Sequence, residues 1–350
     1  MPSLKALWRP FASVESLQRS SHGLAVVQGK GFVFGGERQP RLPVDAAVAV
    51  LDLDNDSTDT LSASSSSSWP SARVGASVVS SGDRIYVWGG RGGKEMGTFA
   101  GEKGSWAFDP SSGAWEELAT KGDQPEPRSF HTMTTLDNKL YLHAGCPASG
   151  RSAQLHSLDL STLTWTRLPD APEPPRGGTV LTPLPPSTAS SRLLARFGGF
   201  AGHELGGLDV FNVKEQAWKA VAASVEGGGE GPGKRSVHVF AGLEGTLEWE
   251  DKRVVAVMAL GEKEGAPKEL GHDGAGFFHA DAWALLATKE ASPTFSWLSL
   301  EPSSQTEKLP EARGWLASSF WEGNKVVLQG GLNAKNERLS DAWTLEVVLE

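Results

Sequence analysis

The side chains best suited to chemistry gather in one stretch. Gly261-Glu-Lys-Glu-Gly-Ala-Pro-Lys-Glu-Leu-Gly-His-Asp-Gly-Ala-Gly276 brings Glu262, Glu264, Glu269 and His272 into a glycine-rich loop too long for a simple turn. Long loops in a compact domain are where function concentrates. Arg91 and Arg151 are among the arginines that stand outside the arginine position recurring along the chain. A guanidinium fork pairs bidentately with sulfate, phosphate or carboxylate, so inward arginines in a chain of net charge −9 mark an anion site. The other histidines read as structural. His22, His131 and His238 share one repeated strand position, and His143, His156, His203 and His279 lack partners at ligand spacing.

Composition removes several function classes. With 33 Lys and Arg against 42 Asp and Glu, the chain has no basic field for nucleic acid or anionic lipid. No apolar run is long enough for a signal peptide or a membrane span, so the expected setting is soluble and cytoplasmic. A single cysteine, Cys146, excludes an internal disulfide and any multi-cysteine metal site. A copper-radical oxidase would need a Tyr–Cys crosslink and further tyrosine ligation, yet the only tyrosines, Tyr86 and Tyr141, lie inside repeat strands. No Gly-x-Ser-x-Gly elbow, phosphate-binding loop, dinucleotide fingerprint or His-Glu-x-x-His pair occurs.

A repeat must position these groups. Apolar strands end in a glycine pair or its remnant at Phe32-Val-Phe-Gly-Gly36, Tyr86-Val-Trp-Gly-Gly90, Tyr141-Leu-His-Ala-Gly145, Ala195-Arg-Phe-Gly-Gly199, Val257-Met-Ala-Leu-Gly261 and Val327-Leu-Gln-Gly-Gly331. Each follows a strand opened by an arginine: Arg19, Arg73, Arg128, Arg176, Arg235 or Arg313. A residue repeated in every unit is architectural. Third strands with Asp and aromatic residues follow, then fourth strands marked by Trp69, Trp115, Trp165, Trp218 and Trp297, with Trp8 supplying the sixth from the opposite end of the chain.

Four short strands per unit at roughly fifty residues predict an all-β, six-bladed kelch-type β-propeller. The units span approximately 19–70, 73–118, 128–168, 176–221, 235–300 and 313–350 plus 4–10, so the N-terminal strand completes the last blade and closes the ring. Closure removes exposed sheet edges. The serine run in 61–69 and the glycine run in 226–234 read as loops outside the repeat.

The stretch from Ser20 to Asp45 closely resembles the first blade of the plant specifier proteins, the epithiospecifier, nitrile-specifier and thiocyanate-forming proteins. The resemblance continues in register through Gly89-Gly-Arg91, Pro127-Arg-Ser-Phe-His131, Arg176-Gly-Gly178, Arg235-Ser-Val237, Gly271-His-Asp-Gly-Ala-Gly276 and Arg313-Gly-Trp315, and covers essentially the whole chain. It implies activity dependent on Fe(II) held by Glu-x3-Asp-x3-His in a fifth-blade loop. Glu262 and His272 match the ends of that pattern. Lys268 stands where the middle carboxylate belongs, and His272 lies ten positions after Glu262 where the pattern has eight. A cation there would repel a metal, unless the extra length lets Glu269 or Glu264 supply the third oxygen. The expected metal ligands are therefore Glu262, His272 and Glu269. The resemblance also places Arg91, Phe130, Arg151 and Trp315 around the substrate, a small anionic molecule of the glucosinolate-aglycone type that breaks down to nitrile-type products.

Two alternatives stay open: a non-catalytic kelch module presenting one propeller face to a protein partner, and a related propeller enzyme with another small substrate.

Overall fold

The structure is a computed structural model that describes residues 3–11, 14–62, 68–99, 104–187, 192–267, 269–270, 274–304 and 306–350. Apart from one turn of 3-10 helix at Glu15–Leu17, its regular elements are strands. Six antiparallel four-stranded units follow one another. The first runs Gly23–Val27, Lys30–Phe34, Val48–Asp52 and Ser57–Leu61. The second runs Ser77–Ser81, Arg84–Trp88, Ser105–Asp109 and Ala114–Glu117. Thr132–Leu136, Lys139–His143, Leu155–Asp159 and Thr164–Leu168 form the third, and Val180–Leu184, Leu193–Phe197, Leu208–Asn212 and Ala217–Val221 the fourth. The fifth sets a short first strand, Val239–Gly242, against three longer ones, Lys252–Ala259, Ala282–Thr288 and Phe295–Ser304. In the sixth, Ala317–Glu322, Lys325–Gln329 and Ala342–Leu349 are completed by the N-terminal strand Leu4–Phe11, which pairs antiparallel with Ala342–Leu349.

Backbone hydrogen bonds stitch the units into a cycle. Gly75 N–H donates to Ser21, Phe130 to Gly75, Gly178 to Phe130, Val237 to Gly178, Trp315 to Val237, and Ser21 back to Trp315, at 2.8 to 3.0 Å. A second cycle runs from the glycine ending each second strand to the arginine of the following unit: Gly36 to Arg73, Gly90 to Arg128, Gly145 to Arg176, Gly199 to Arg235, Gly261 to Arg313 and Gly331 to Arg19. The glycine requirement is steric. At Gly261, with φ +100°, an added Cβ would stand 2.4 Å from the Cβ of His238. The remnant positions Ala144 and Leu260 take the left-handed conformation without being glycine, at φ 64° and 59°, a strain of about 1 kcal/mol each.

The six repeated arginines are 0 to 4% exposed. Each sends Nη1 to the carbonyl that ends the second strand of its own unit: Arg19 to Gly35, Arg73 to Gly89, Arg128 to Ala144, Arg176 to Gly198, Arg235 to Leu260 and Arg313 to Gly330, at 2.9 to 3.2 Å. They satisfy strand-end oxygens that the sheet leaves unpaired. The apolar core is divided among the seams between neighbouring units, as where Phe32 and Phe34 meet Phe108 and Trp115. The inner strands surround a central channel of about 750 Å³.

Two features depart from expectation. Trp115, Trp165, Trp218, Trp297 and Trp8 do lie in outer strands, but Trp69 lies beyond the first unit's outer strand, Ser57–Leu61, which carries no tryptophan. Its indole donates to the Ala46 carbonyl at 2.5 Å and its ring meets Trp115 edge-on at 6.0 Å, so it plugs the same seam from a loop. Furthermore, Lys5–Trp8 also pair in parallel with Glu301–Ser304, joining the fifth and sixth units into one ten-stranded sheet. The extra length of the fifth unit's outer strand makes that possible.

Candidate functional site

The residue following each glycine pair occupies the same place in the frame. Glu37, Arg91, Cys146, Phe200 and Glu262 each form a β-bridge to the residue after the arginine of their own unit, at Ser20, Val74, Ser129, Gly177 and Ser236, and Leu332 pairs likewise with Gly314. These six positions rim one mouth of the channel. Inside them lies the first hydrogen-bonded cycle, whose members Ser21, Gly75, Phe130, Gly178, Val237 and Trp315 all have positive φ. The backbone is repeated six times while the side chains vary from unit to unit, so a symmetric scaffold displays an asymmetric site.

Phe130 and Trp315 belong to opposite units, the third and the sixth. Their rings nevertheless meet edge to face across the mouth, with centroids 5.5 Å apart. Gly75 makes room for this, because a Cβ there would lie 2.8 Å from the Phe130 ring. The variant Gly75→Ala, at φ +66°, should lose about 1–2 kcal/mol from the backbone conformation alone and push Phe130 off its contact. Urea unfolding would detect the first effect, and weakened substrate binding the second.

On one side of the aromatic pair the mouth is cationic. Arg91 donates from Nε to the Ser129 hydroxyl at 2.7 Å, and its guanidinium lies 5.6 Å from the centre of the Phe130 ring. Arg151 is exposed and packs its guanidinium 4.7 Å from the Phe200 ring centre. Both cations favour the Cys146 thiolate, but burial outweighs them and pushes the thiol pKa up. Cys146 is thus a protonated wall residue and not a nucleophile at neutral pH.

On the other side the mouth is anionic. Glu262 is only 7% exposed. Burial, followed by the negative charge of Glu204, pushes its carboxyl up to about 7, against hydrogen bonds from the Trp315 side chain and the Gly276 backbone. Glu204 reaches this place from a tight loop of the fourth unit bridged to Phe200. It is 6% exposed, its Oε1 has no hydrogen-bond partner among the described residues, and burial raises its pKa too. Two buried carboxyl groups on neighbouring units give this side of the mouth a carboxylate character suited to a cation.

The expected site residues therefore fall into three groups. Arg91, Phe130, Trp315 and Glu262 form one continuous chain of contacts across the mouth, with Arg151 beside it. Glu269 sits exposed in a turn. His272 and Lys268 lie outside the described residues. Among the described residues no three His, Cys, Asp or Glu side chains converge as a ready-made metal site. Sequence reasoning missed Phe200 and Glu204. Phe200 could have been found, since it follows the glycine pair as Arg91 and Glu262 do, whereas Glu204 carries no spacing signal relative to Glu262.

Comparison with known proteins agrees with this frame. The model for the KLHDC2/KLHL20/DRC7 Kelch-repeats domain matches residues 21–247. Among curated relatives, N-(sulfonatooxy)prop-2-enimidothioate sulfolyase from Thlaspi arvense is 28% identical over 94% of this chain and 92% of its own length. Kelch domain-containing protein 1 from Mus musculus is 25% identical over 77% of this chain and 66% of its own length. The solved structure of YjhT aligns with a TM-score of 0.67 at 16% identity, covering 97% of this chain and 99% of that one, a likeness of fold alone. With most of its length matched by the kelch-repeat model and the repeat visible in every unit, the chain belongs to the kelch-repeat family.

Proposed function

We propose that this propeller is a specifier-like lyase acting on a small sulfated, sulfur-containing anion at the mouth rimmed by Arg91 and Glu262. The observation that carries the reading is the polarity of the contact chain Arg91–Phe130–Trp315–Glu262, cationic at one end, aromatic in the middle and anionic at the other. The name of the Thlaspi arvense relative describes a lyase substrate with a sulfonatooxy group, a thioate sulfur and a short unsaturated side chain. Those three parts need a guanidinium pair, a metal-binding pole and an apolar surface, in that order. Arg91 and Arg151 would hold the sulfonatooxy group and stabilise it as it departs as sulfate with the N–O bonding electrons, while the C–S bonding pair closes the C≡N bond and the sulfur leaves at the zero-valent level. Phe130 and Trp315 would hold the side chain and keep water from it. Glu262, with His272 and Glu269 as the further ligands that the sequence points to, would hold Fe(II). When bound, the ion supplies a Lewis-acidic centre for the substrate sulfur. Trp315 also favours the charged form of the Glu262 carboxyl, so one side chain serves both the apolar surface and the metal pole.

The test is direct. The protein loaded anaerobically with Fe(II) is given an aglycone released in place from its glucosinolate, and nitrile is measured against isothiocyanate. Activity should require iron and should fall at least a hundredfold in Glu262→Gln and His272→Ala. Arg91→Ala should lower kcat as well as raise KM, because the guanidinium meets more charge on the departing sulfate than on the bound substrate. Product ratios unchanged from the spontaneous reaction would sink the proposal.

A second reading has one observation behind it. Leu42 and Phe277, carried on loops beyond the rim residues Glu37 and Glu262, are 59% and 54% exposed, which suits a protein partner seated over the mouth.

A further inference from the structure

We infer that Phe200, the rim residue of the fourth unit, is the positioning residue of the anion pole: its ring is the platform that sets the Arg151 guanidinium toward an oxyanion at the mouth. This rests on the anion-binding part of the reading above and deepens it, and it does not depend on a metal. Three observations lead to it.

Arg151 crosses a seam. It belongs to the third unit, and its guanidinium carbon stands 4.7 Å from the centre of the Phe200 ring of the fourth. Backbone anchors both ends of this contact. Phe200 and Gly177 exchange N–H to carbonyl bonds at 2.8 and 3.1 Å, and Phe200 forms a further bridge to Glu204. Beside Arg151, the Ser152 N–H donates to the Gly145 carbonyl at 2.9 Å, and the Ser152 hydroxyl accepts from the buried Arg128 at 2.7 Å. What remains to be ordered is the long arginine stem, and the ring orders its head.

The second observation is what this guanidinium is left without. Among the described residues Arg151 makes no hydrogen bond and meets no carboxylate within 4.0 Å. The surface arginines Arg84 and Arg167, by contrast, are met by Glu116 at 2.6 Å and by Asp170 at 2.9 Å. A guanidinium held by a ring commits none of its N–H donors to an acid, so the whole fork stays available to a ligand. In a chain with 42 acidic residues against 33 basic ones, an arginine given a ring and no carboxylate is left for an anion from solution.

The third is that Arg91 is built the same way one unit earlier. It belongs to the second unit, crosses to the Phe130 ring of the third at 5.6 Å, and likewise meets no carboxylate among the described residues. Its Nη2 reaches the Cys146 carbonyl at 3.5 Å. Cys146 lies against Gly177, where an added Cβ would stand 2.7 Å from Sγ, and Gly177 is the backbone partner of Phe200. The contacts Arg91, Cys146, Gly177, Phe200 and Arg151 are therefore continuous. They put both guanidiniums on one arc of the rim, each on the ring of the following unit, as recognition of a sulfate-like oxyanion requires.

Arginine modification of the purified, iron-free protein tests the assignment with a readout that depends on neither metal nor turnover. The rate at which phenylglyoxal labels Arg151, followed by peptide mass spectrometry, is measured against rising sodium sulfate, with sodium chloride at equal ionic strength as the control. In wild type sulfate should protect Arg151. Phe200→Leu should need about three- to tenfold more sulfate for half protection, because the head group must then be ordered as the anion binds. Phe200→Tyr keeps the aromatic face and should stay within about twofold of wild type. Phe200 is half-buried at the rim, so both variants should melt within a few degrees of wild type, and Phe200→Met serves as the aliphatic replacement if leucine does not. Sulfate that protects wild-type Arg151 no better than chloride overturns the anion reading itself. Protection that the aliphatic variant leaves unchanged overturns only the role of Phe200, as does protection lost equally in Phe200→Tyr.

Discussion

At pH 5 the propeller should be about 4 kcal/mol less stable than at pH 7.5 through His22 and His131 alone. These residues belong to the motif Arg-Ser-x-His that opens the first, third and fifth units at Arg19, Arg128 and Arg235. All three imidazoles are buried. Each is wedged into the seam with the preceding unit, so that a Cβ at Gly330, Gly89 or Gly198 would approach the ring carbon of His22, His131 or His238 to 3.0, 3.0 and 3.2 Å. Burial first, then the charge of the arginine three residues earlier, lowers the pKa of His22 and His131 to about 3 and puts His238 well below its ordinary value. The folded state keeps these rings neutral. Above pH 6.5 the unfolded chain does too, and no stability depends on them. As pH falls through 6.5 the unfolded chain takes up protons that the folded chain refuses, and stability drops by about 1.4 kcal/mol per pH unit per histidine until the folded pKa is reached. At pH 5 that is about 2 kcal/mol each, with His238 adding in the same direction. Urea unfolding of His131→Leu, which borrows the residue of the sixth unit at Leu316, should give a stability profile flatter by about 2 kcal/mol between pH 7.5 and 5. An unchanged slope would refute the assignment of this acid sensitivity to the seam histidines.

The same seams explain how much could be read from the sequence. The glycine pairs and arginines were legible because each is demanded by a backbone contact that recurs in every unit: the glycine by the approach of the next unit, as at Gly261, and the arginine by a strand-end carbonyl, as at Leu260 for Arg235. Arg91 and Arg151 were legible because they stand outside the repeated arginine position, and Glu262 because it opens a loop too long for a turn, whereas Phe130 and Trp315 were legible only through the resemblance to the specifier proteins. Trp69 misled because a tryptophan can fill a seam from a loop as well as from a strand, and spacing alone does not separate the two. Glu204 was illegible for a different reason. Its electrostatic effect on Glu262 comes from the lateral packing of two neighbouring units, which leaves no period in the chain, and its unpaired oxygen is a property of three-dimensional burial. The six-fold frame is written locally; the site it carries is written between units.

That frame makes a second strong demand, at Asp281. Arg235 is fully buried and is met by both carboxylate oxygens of Asp281 at 2.8 Å, while its remaining donors serve the Leu260 and Gly233 carbonyls. Asp281 also accepts from the Trp283 indole at 2.8 Å. Burial works against the charge on Asp281, yet the hydrogen bonds and charge of Arg235, with help from Trp283, hold its pKa below the ordinary carboxylate value. The sixth unit repeats the arrangement with Arg313, Asp341 and Trp343. Removing the acid leaves a buried guanidinium with no counter-ion, the situation that costs about 3–5 kcal/mol when one member of a buried pair is lost. Asp281 is 34% exposed, so water can enter the gap, and Asp281→Ala should cost about 3 kcal/mol, near the low end of that range. A milder change has a precedent in the third unit, where Arg128 is met by the neutral amide of Gln154 at 2.6 Å and by Ser152. Asp281→Asn keeps an acceptor and should therefore cost only about 1 kcal/mol, the worth of a neutral hydrogen bond against a charged one. Urea unfolding at pH 7.5 distinguishes these outcomes. If alanine and asparagine both fall within about 0.5 kcal/mol of wild type, the ordinary range for a surface substitution, the pair contributes nothing to the frame, and the repeated arginines act through their carbonyl contacts alone.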